Sequence, residues 1–213
     1  MIGLVYKDIM VQKKQLRYYA GFLAIYGVMA VAGMGASILG AMISVVGLVL
    51  PMSSIGYDEL ARWDKFAVST PAGRAGVVGA KYLFTLLVLG SMTLLVLLSM
   101  AVLHLAGMLE ENIADMAASA LACTGVSLLM NSVTLPLLLK FGAEKSRTIA
   151  MGLFVAAFGG GILGGMALKK AGPLPAPPAW LADALPVVLA ALAVGSFVIS
   201  YCIARGIYEK KEL

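Results

Sequence analysis

The sequence predicts an all-α integral membrane protein with six transmembrane helices, and three observations carry that reading. Hydrophobic residues make up 61% of the 213 residues and charged ones only 13%, about half of the roughly 25% usual in soluble domains. Mean hydropathy is +0.96. The charges are clustered, so they leave uncharged runs longer than the ~18 residues that mark a membrane-crossing helix. The runs are continuous rather than alternating, which argues against a β-barrel. The composition also argues against a soluble enzyme, a disordered chain and a secreted disulfide scaffold.

The first uncharged run covers 18–57, which as a helix is about 60 Å and twice a hydrocarbon core. It therefore holds two spans, 18–34 and 36–57, reversing at Gly33, Met34 and Gly35. Further spans are expected at 82–108, 116–139, 148–168 and 184–204. Residues 1–17 place Ile2, Val5, Ile9 and Leu16 on one stripe, with Tyr6 and Met10 beside it and Lys7, Lys14 and Gln15 elsewhere. That pattern predicts an amphipathic helix lying in the membrane interface, the plainer alternative being a basic flank that stops translocation. The apolar run that follows continues through two spans instead of ending at a small-residue cleavage site, so no cleaved leader is expected.

All but Lys169 and Lys170 of the sixteen Lys and Arg residues fall on one side of this arrangement. Basic residues in short loops are retained in the cytoplasm, so both termini are expected there. Topology and anionic lipid account for the net charge of +5 without a nucleic-acid partner. A single histidine and eleven carboxylates leave little material for a metal site or an acid–base centre. Cys123 and Cys202 lie in apolar runs, where they are expected to pack as small hydrophobes. The stretch GGGILGG is not followed by Gly-Lys-Ser or Gly-Lys-Thr, so no phosphate loop is present and no catalytic residue is assigned.

The connection at 58–81 is the segment richest in charge. Asp58 and Glu59 open a helical stretch at the end where negative charge suits the dipole, Trp63 and Phe66 share one face, and Pro71 ends it. The aromatic pair fits either a knob that docks another protein or an anchor in the membrane interface. Within the apolar runs no carboxylate, Lys or Arg occurs, which removes the usual markers of an ion pathway. Asn131, Ser132 and Thr134 precede Pro136 by about one turn and are expected to bond across helices or to serve the carbonyls that Pro136 frees. The fifth span carries Gly152, Ala156, Gly160 and Gly164 at every fourth position, a face for close packing inside the subunit or between subunits. Outside, Pro173, Pro175, Pro177 and Pro178 stiffen the connection to the last span.

An interfacial first helix, six spans, YDELARWDKF followed by STPAGRAGVVGAKY, and KFGAEKSR after the fourth span together resemble the type 2 ABC-transporter permeases of bacteria. The closest likeness is to the short permeases of the phenol-soluble modulin exporter kind. The residue-level likeness rests on the acidic pair Asp58 and Glu59 with Trp63, and on Lys81 and Tyr82. The resemblance implies a subunit of the bacterial plasma membrane that pairs with a second permease, identical or related. It implies two copies of a separate ATP-binding subunit, which would hold ATP and magnesium and dock at Asp58, Glu59, Trp63 and Phe66 on a coupling helix. It implies ATP-driven export of amphipathic or hydrophobic cargo, such as peptides or lipophilic drugs. The rival reading is a non-transporting membrane partner that docks a cytoplasmic regulator through the same knob.

In intact cells, cysteines introduced singly at Asn112 and Ala176 are expected to react with an impermeant thiol reagent, and one at Ala61 is not. The reverse pattern would overturn the orientation.

Overall fold

The computed structural model describes residues 2–13, 16–63, 66–67, 73–109, 111–152, 155, 159 and 179–210. Among these, every regular element is helical. Helix α1 is Ile2–Gln12, α2 is Leu16–Met29, α3 is Ser37–Leu60, α4 is Gly73–Leu105, α5 is Ile113–Phe141 and α6 is Ala179–Glu209. Helical residues 143–152 follow α5. Among the described residues, four helices are long and apolar enough to cross a membrane, and a fifth span exists if α1 and the helix after it, which meet at 67°, count as one bent unit. Most of the span expected at 148–168 lies outside the described residues, as do the proline-rich connection and the packing positions Ala156, Gly160 and Gly164. Gly152 is exposed, and a Cβ there would meet nothing within 4 Å.

The expected reversal at Gly33 to Gly35 is present. Helix α2 widens into a π-helical turn at Ala30–Met34, and Gly33 and Gly35 take φ of 98° and 81°, a region that disfavours any Cβ. The new start at Ala36 is capped from a distance: Glu111 Oε1 accepts from the Ala36 amide at 2.8 Å. Helix α5 begins just beyond, with the Asn112 side chain accepting from the Ala114 amide at 3.1 Å. One turn of chain thus closes two helix starts at the same end of the bundle.

Helix α4 begins at Gly73, well before the expected 82, so part of the segment read as a connection is helical and Lys81 lies inside the helix. Helix α3 ends at Leu60, where Arg62 takes the left-handed conformation usually left to glycine, with φ of 51°. Helices α3, α4 and α5 pack against one another, and α6 packs on α4 and α5. At one end the core holds Ile55, Val78, Tyr82, Leu135, Leu138 and Tyr208. At the other it holds Leu39, Ile43, Val96, Met100, Met116 and Ala120.

Among the described residues, α3 makes close helix approaches. A Cβ at Gly40 would stand 2.9 Å from Cys123 Sγ, and one at Gly47 would collide with the Leu89 side chain. Backbone contact at Gly47 has a chemical purpose. Pro51 lacks the N–H that would bond the Gly47 carbonyl four residues earlier, and Asn131 Nδ2 of α5 donates to that carbonyl at 3.0 Å. Asn131 also donates to Ser127 O at 2.8 Å, while Ser132 and Thr134 bond carbonyls of their own helix. The expected cross-helix bond is therefore found, but it serves the proline of α3 rather than Pro136. Cys123 and Cys202 are both free thiols.

Asn131→Leu is expected to lower stability by about 1–2 kcal/mol by orphaning the Gly47 carbonyl. In a Pro51→Ala background, where the helix can supply its own N–H, the same change should cost markedly less. A double-mutant cycle of detergent-solubilised protein measures this, and equal costs in both backgrounds would refute it.

Candidate functional site

Helix α1 packs with an inverted amphipathic pattern. Val5, Asp8 and Gln12, at spacings of three and four, face the protein and are buried. Ile2, Tyr6, Ile9 and Met10 are exposed. Ile2 and Ile9 of the expected stripe are thus exposed, whereas Val5 of the same stripe turns inward with Asp8 and Gln12. Gln12 Nε2 donates to Leu50 O at 2.8 Å, next to Pro51.

The polar side of α1 meets α3 and α4 in a closed ring of four charges. Lys81 Nζ of α4 lies 2.9 Å from Asp8 Oδ1, 2.6 Å from Asp58 Oδ2 and 2.7 Å from Ser54 Oγ. Lys7 Nζ lies 3.0 Å from Asp8 Oδ1 and pairs with Asp58 as well. The order around the ring is Lys7, Asp8, Lys81, Asp58, so every charge has two opposite neighbours and the sum is zero. Asp8 is 2% exposed, Lys81 6% and Asp58 7%. Removing such groups from water costs several kcal/mol per ion, which only complete pairing and added hydrogen bonds offset. Alternation supplies the pairing, and the Ser54 hydroxyl accepts a further Lys81 proton.

The aromatic pair stands beside this ring. Trp63 and Phe66 have ring centroids 4.8 Å apart, and Lys7 Nζ lies 5.0 Å from the Trp63 ring, a cation–π contact. Trp63 is half-buried against the core, whereas Phe66 is 59% exposed and Leu60 84%. Glu59 points the other way. Its Oε2 accepts from the Ala143 amide at 2.6 Å, capping helical residues 143–152, and its carboxylate fills the space over Gly142, which has φ of 82°. A Cβ at Gly142 would strike that carboxylate.

The four residues expected to couple to a partner are therefore neighbours, but they divide. Asp58 and Glu59 are bonded within the chain, and Trp63 and Phe66 form an aromatic projection. Asp8, Lys7 and Ser54 were not singled out from the sequence. The available signal was Asp8 itself, the one carboxylate before Asp58 and one set among basic residues. Tyr82, next to Lys81, is equally fixed: its hydroxyl lies 2.6 Å from Ser200 Oγ and its ring packs on Phe197 at 5.0 Å, joining α4 to α6.

At the other end of the bundle a groove of about 610 Å³ runs between α2, α3 and α4, lined by Leu23, Gly27, Leu39, Leu94, Leu98 and Val102. Its two serines, Ser91 and Ser99, bond carbonyls of their own helix at 3.0 and 2.8 Å, so the lining is apolar. Among the described residues no group of His, Cys, Asp and Glu could hold a metal ion.

A family model described as ABC-2 family transporter protein matches residues 3–209. The chain belongs to that family. It is a multi-pass membrane subunit of an ABC transporter, a system that works with an ATP-binding partner. Searches of the curated proteins and of the solved structures return no match. The ABC-2 membership bears out the permease resemblance read from the loop motifs.

Lys81→Met leaves Asp8 and Asp58 buried beside one another with Lys7 as the remaining cation, and is expected to cost about 3–5 kcal/mol. Replacing all four ring members by apolar residues (Lys7→Met, Asp8→Leu, Asp58→Leu, Lys81→Met) should recover most of that loss, as read by thermal unfolding in detergent. A quadruple variant less stable than the single one would contradict the ring account.

Proposed function

We propose that this ABC-2 subunit is the permease of an ATP-driven bacterial exporter. Six spans, including one at 148–168, form its membrane body, with both termini in the cytoplasm. Two permease subunits enclose the pathway, and two ATP-binding subunits dock at the segment from Asp58 to Phe66. The observation that carries this reading is the projecting pair Trp63 and Phe66, braced by Lys7 and continuous with the exposed Leu60. An apolar projection at the end of a span, backed by a rigid charged ring, suits a groove on a partner that must push. Aromatic side chains are favoured in such anchors because they bury much area for little lost entropy.

Amphipathic or lipophilic cargo, including peptides of the phenol-soluble modulin kind, fits the apolar runs, which hold no charged side chain to bind an ion or polar metabolite. The leucine-lined groove between α2 and α4 supports the same chemistry.

Trp63→Ala is expected to weaken docking by about 2 kcal/mol or more. Phe66→Ala should weaken it without altering the purified subunit, because Phe66 is largely exposed. Co-purification with the ATP-binding subunit and cargo-stimulated ATP hydrolysis are the measurements. Full capture and full stimulation by both variants would make the pair a membrane anchor instead.

A further inference from the structure

We propose that the ring of Lys7, Asp8, Asp58 and Lys81 is a permanent joint that makes α1 part of the force path. In this account α1, the end of α3 and the start of α4 move as one body through the transport cycle. The inference rests on the reading that the ATP-binding subunit docks at Trp63 and Phe66.

Three independent tethers bind α1 to this body. The ring joins it to α4 through Asp8 and to α3 through Lys7. Gln12 bonds the Leu50 carbonyl of α3 at 2.8 Å. Val5 shares an apolar cluster with Leu50, Ala80 and Phe84. Parting α1 from α3 and α4 would leave Asp8 with Lys7 alone and Lys81 with Asp58 alone, so each charge of the ring would lose one of its two opposite neighbours, and a buried ion repays its desolvation only when its pairing is complete. The joint that ATP-driven closure bends must then lie elsewhere, in contacts without buried ions.

A push on the aromatic pair reaches α1 as directly as it reaches α3, because Lys7 lies over the Trp63 ring at 5.0 Å. On the far side of α1, Ile2, Tyr6, Ile9 and Met10 are exposed and apolar, a surface that lipid can wet while the helix shifts. Helix α1 thus acts as an outrigger: held by charge to the moving body and floated on the membrane by its outer face. Lys7 and Asp8 are the positioning residues that hold it.

The test uses spin labels at Lys13, the residue that follows α1, and Leu83 on α4, both exposed, with Cys123 and Cys202 changed to alanine. The permease is reconstituted with its ATP-binding subunit and measured without nucleotide and with ATP trapped. One narrow distance, the same in both states, is expected. A shift between states would overturn the proposal. The double variant Lys7→Gln/Asp8→Asn removes both charges of α1 while leaving the Lys81–Asp58 pair in place. It should broaden the Lys13–Leu83 distance and lose cargo movement per ATP hydrolysed, both read on the purified complex so that any weaker capture through Lys7 does not enter the comparison. A narrow distance with full coupling in that variant would also overturn the proposal. If wild-type permease captures no ATP-binding subunit, the docking reading fails. The joint is then judged on the permease alone, by whether the double variant broadens the distance.

Discussion

A buried charge must find its opposite within the same protein, and that constraint organises this end of the molecule. Asp8, Asp58 and Lys81 lie away from water, so each geometric decision around them follows from pairing. Helix α1 turns its polar side inward because Asp8 has to reach Lys81. Helix α4 starts as early as Gly73, which puts Lys81 on a rigid helix instead of in a loop. Asp58 sits one turn after Ser54 on α3, so both face the same ammonium. A ring of alternating sign is the smallest arrangement in which four such groups each meet two partners and cancel.

The same accounting applies to the backbone. In a medium with little water every carbonyl and amide needs a partner, and three irregularities of this fold are each matched by a side chain remote in sequence. Pro51 deprives Gly47 of a helical bond, and Asn131 supplies it. The break after Gly35 leaves the Ala36 amide open, and Glu111 accepts from it. The turn at Gly142 exposes the Ala143 amide, and Glu59 accepts from that. Prolines and glycines bend the chain, while remote polar side chains make the bends affordable. They also tie together helices that are distant in sequence.

Much of this was legible in the sequence, and the parts that were not share a cause. The uncharged runs located the helices, because burial in lipid is a property of composition over a long window. Gly33 and Gly35 located the first reversal, because backbone freedom is local. The role of Asn131 was half legible: a polar residue in a span needs a partner, but only packing could say that its partner serves Pro51 and not the nearer Pro136. The small-residue pattern drew attention to Gly152, Ala156, Gly160 and Gly164, of which only Gly152 is among the described residues, and the close contacts described are at Gly40 and Gly47. Spacing reports that an approach is possible, and the neighbour decides where it occurs. The ring was hidden for the same reason. Lys7, Asp8, Asp58 and Lys81 lie in three separate segments, and charges in a basic flank read as solvated until the fold brings their opposites to them.

That miss changes how the proposed coupling segment is understood. Read along the chain, Asp58, Glu59, Trp63 and Phe66 look like one patch facing one partner. In three dimensions two of them face inward, Asp58 to α1 and α4, and Glu59 to the helical residues after α5. A knob mounted on a single helix end would yield under load, since a helix terminus frays and its last carbonyls are weakly held. With Asp58 and Glu59 fastened to different helices, a load applied at Trp63 and Phe66 would be shared by α1, α3, α4 and the segment after α5 at once. If the ATP-binding subunit docks at Trp63 and Phe66 as proposed, the acidic pair would serve force transmission through its bonds inside the subunit, turning a local contact into a displacement of several helices together.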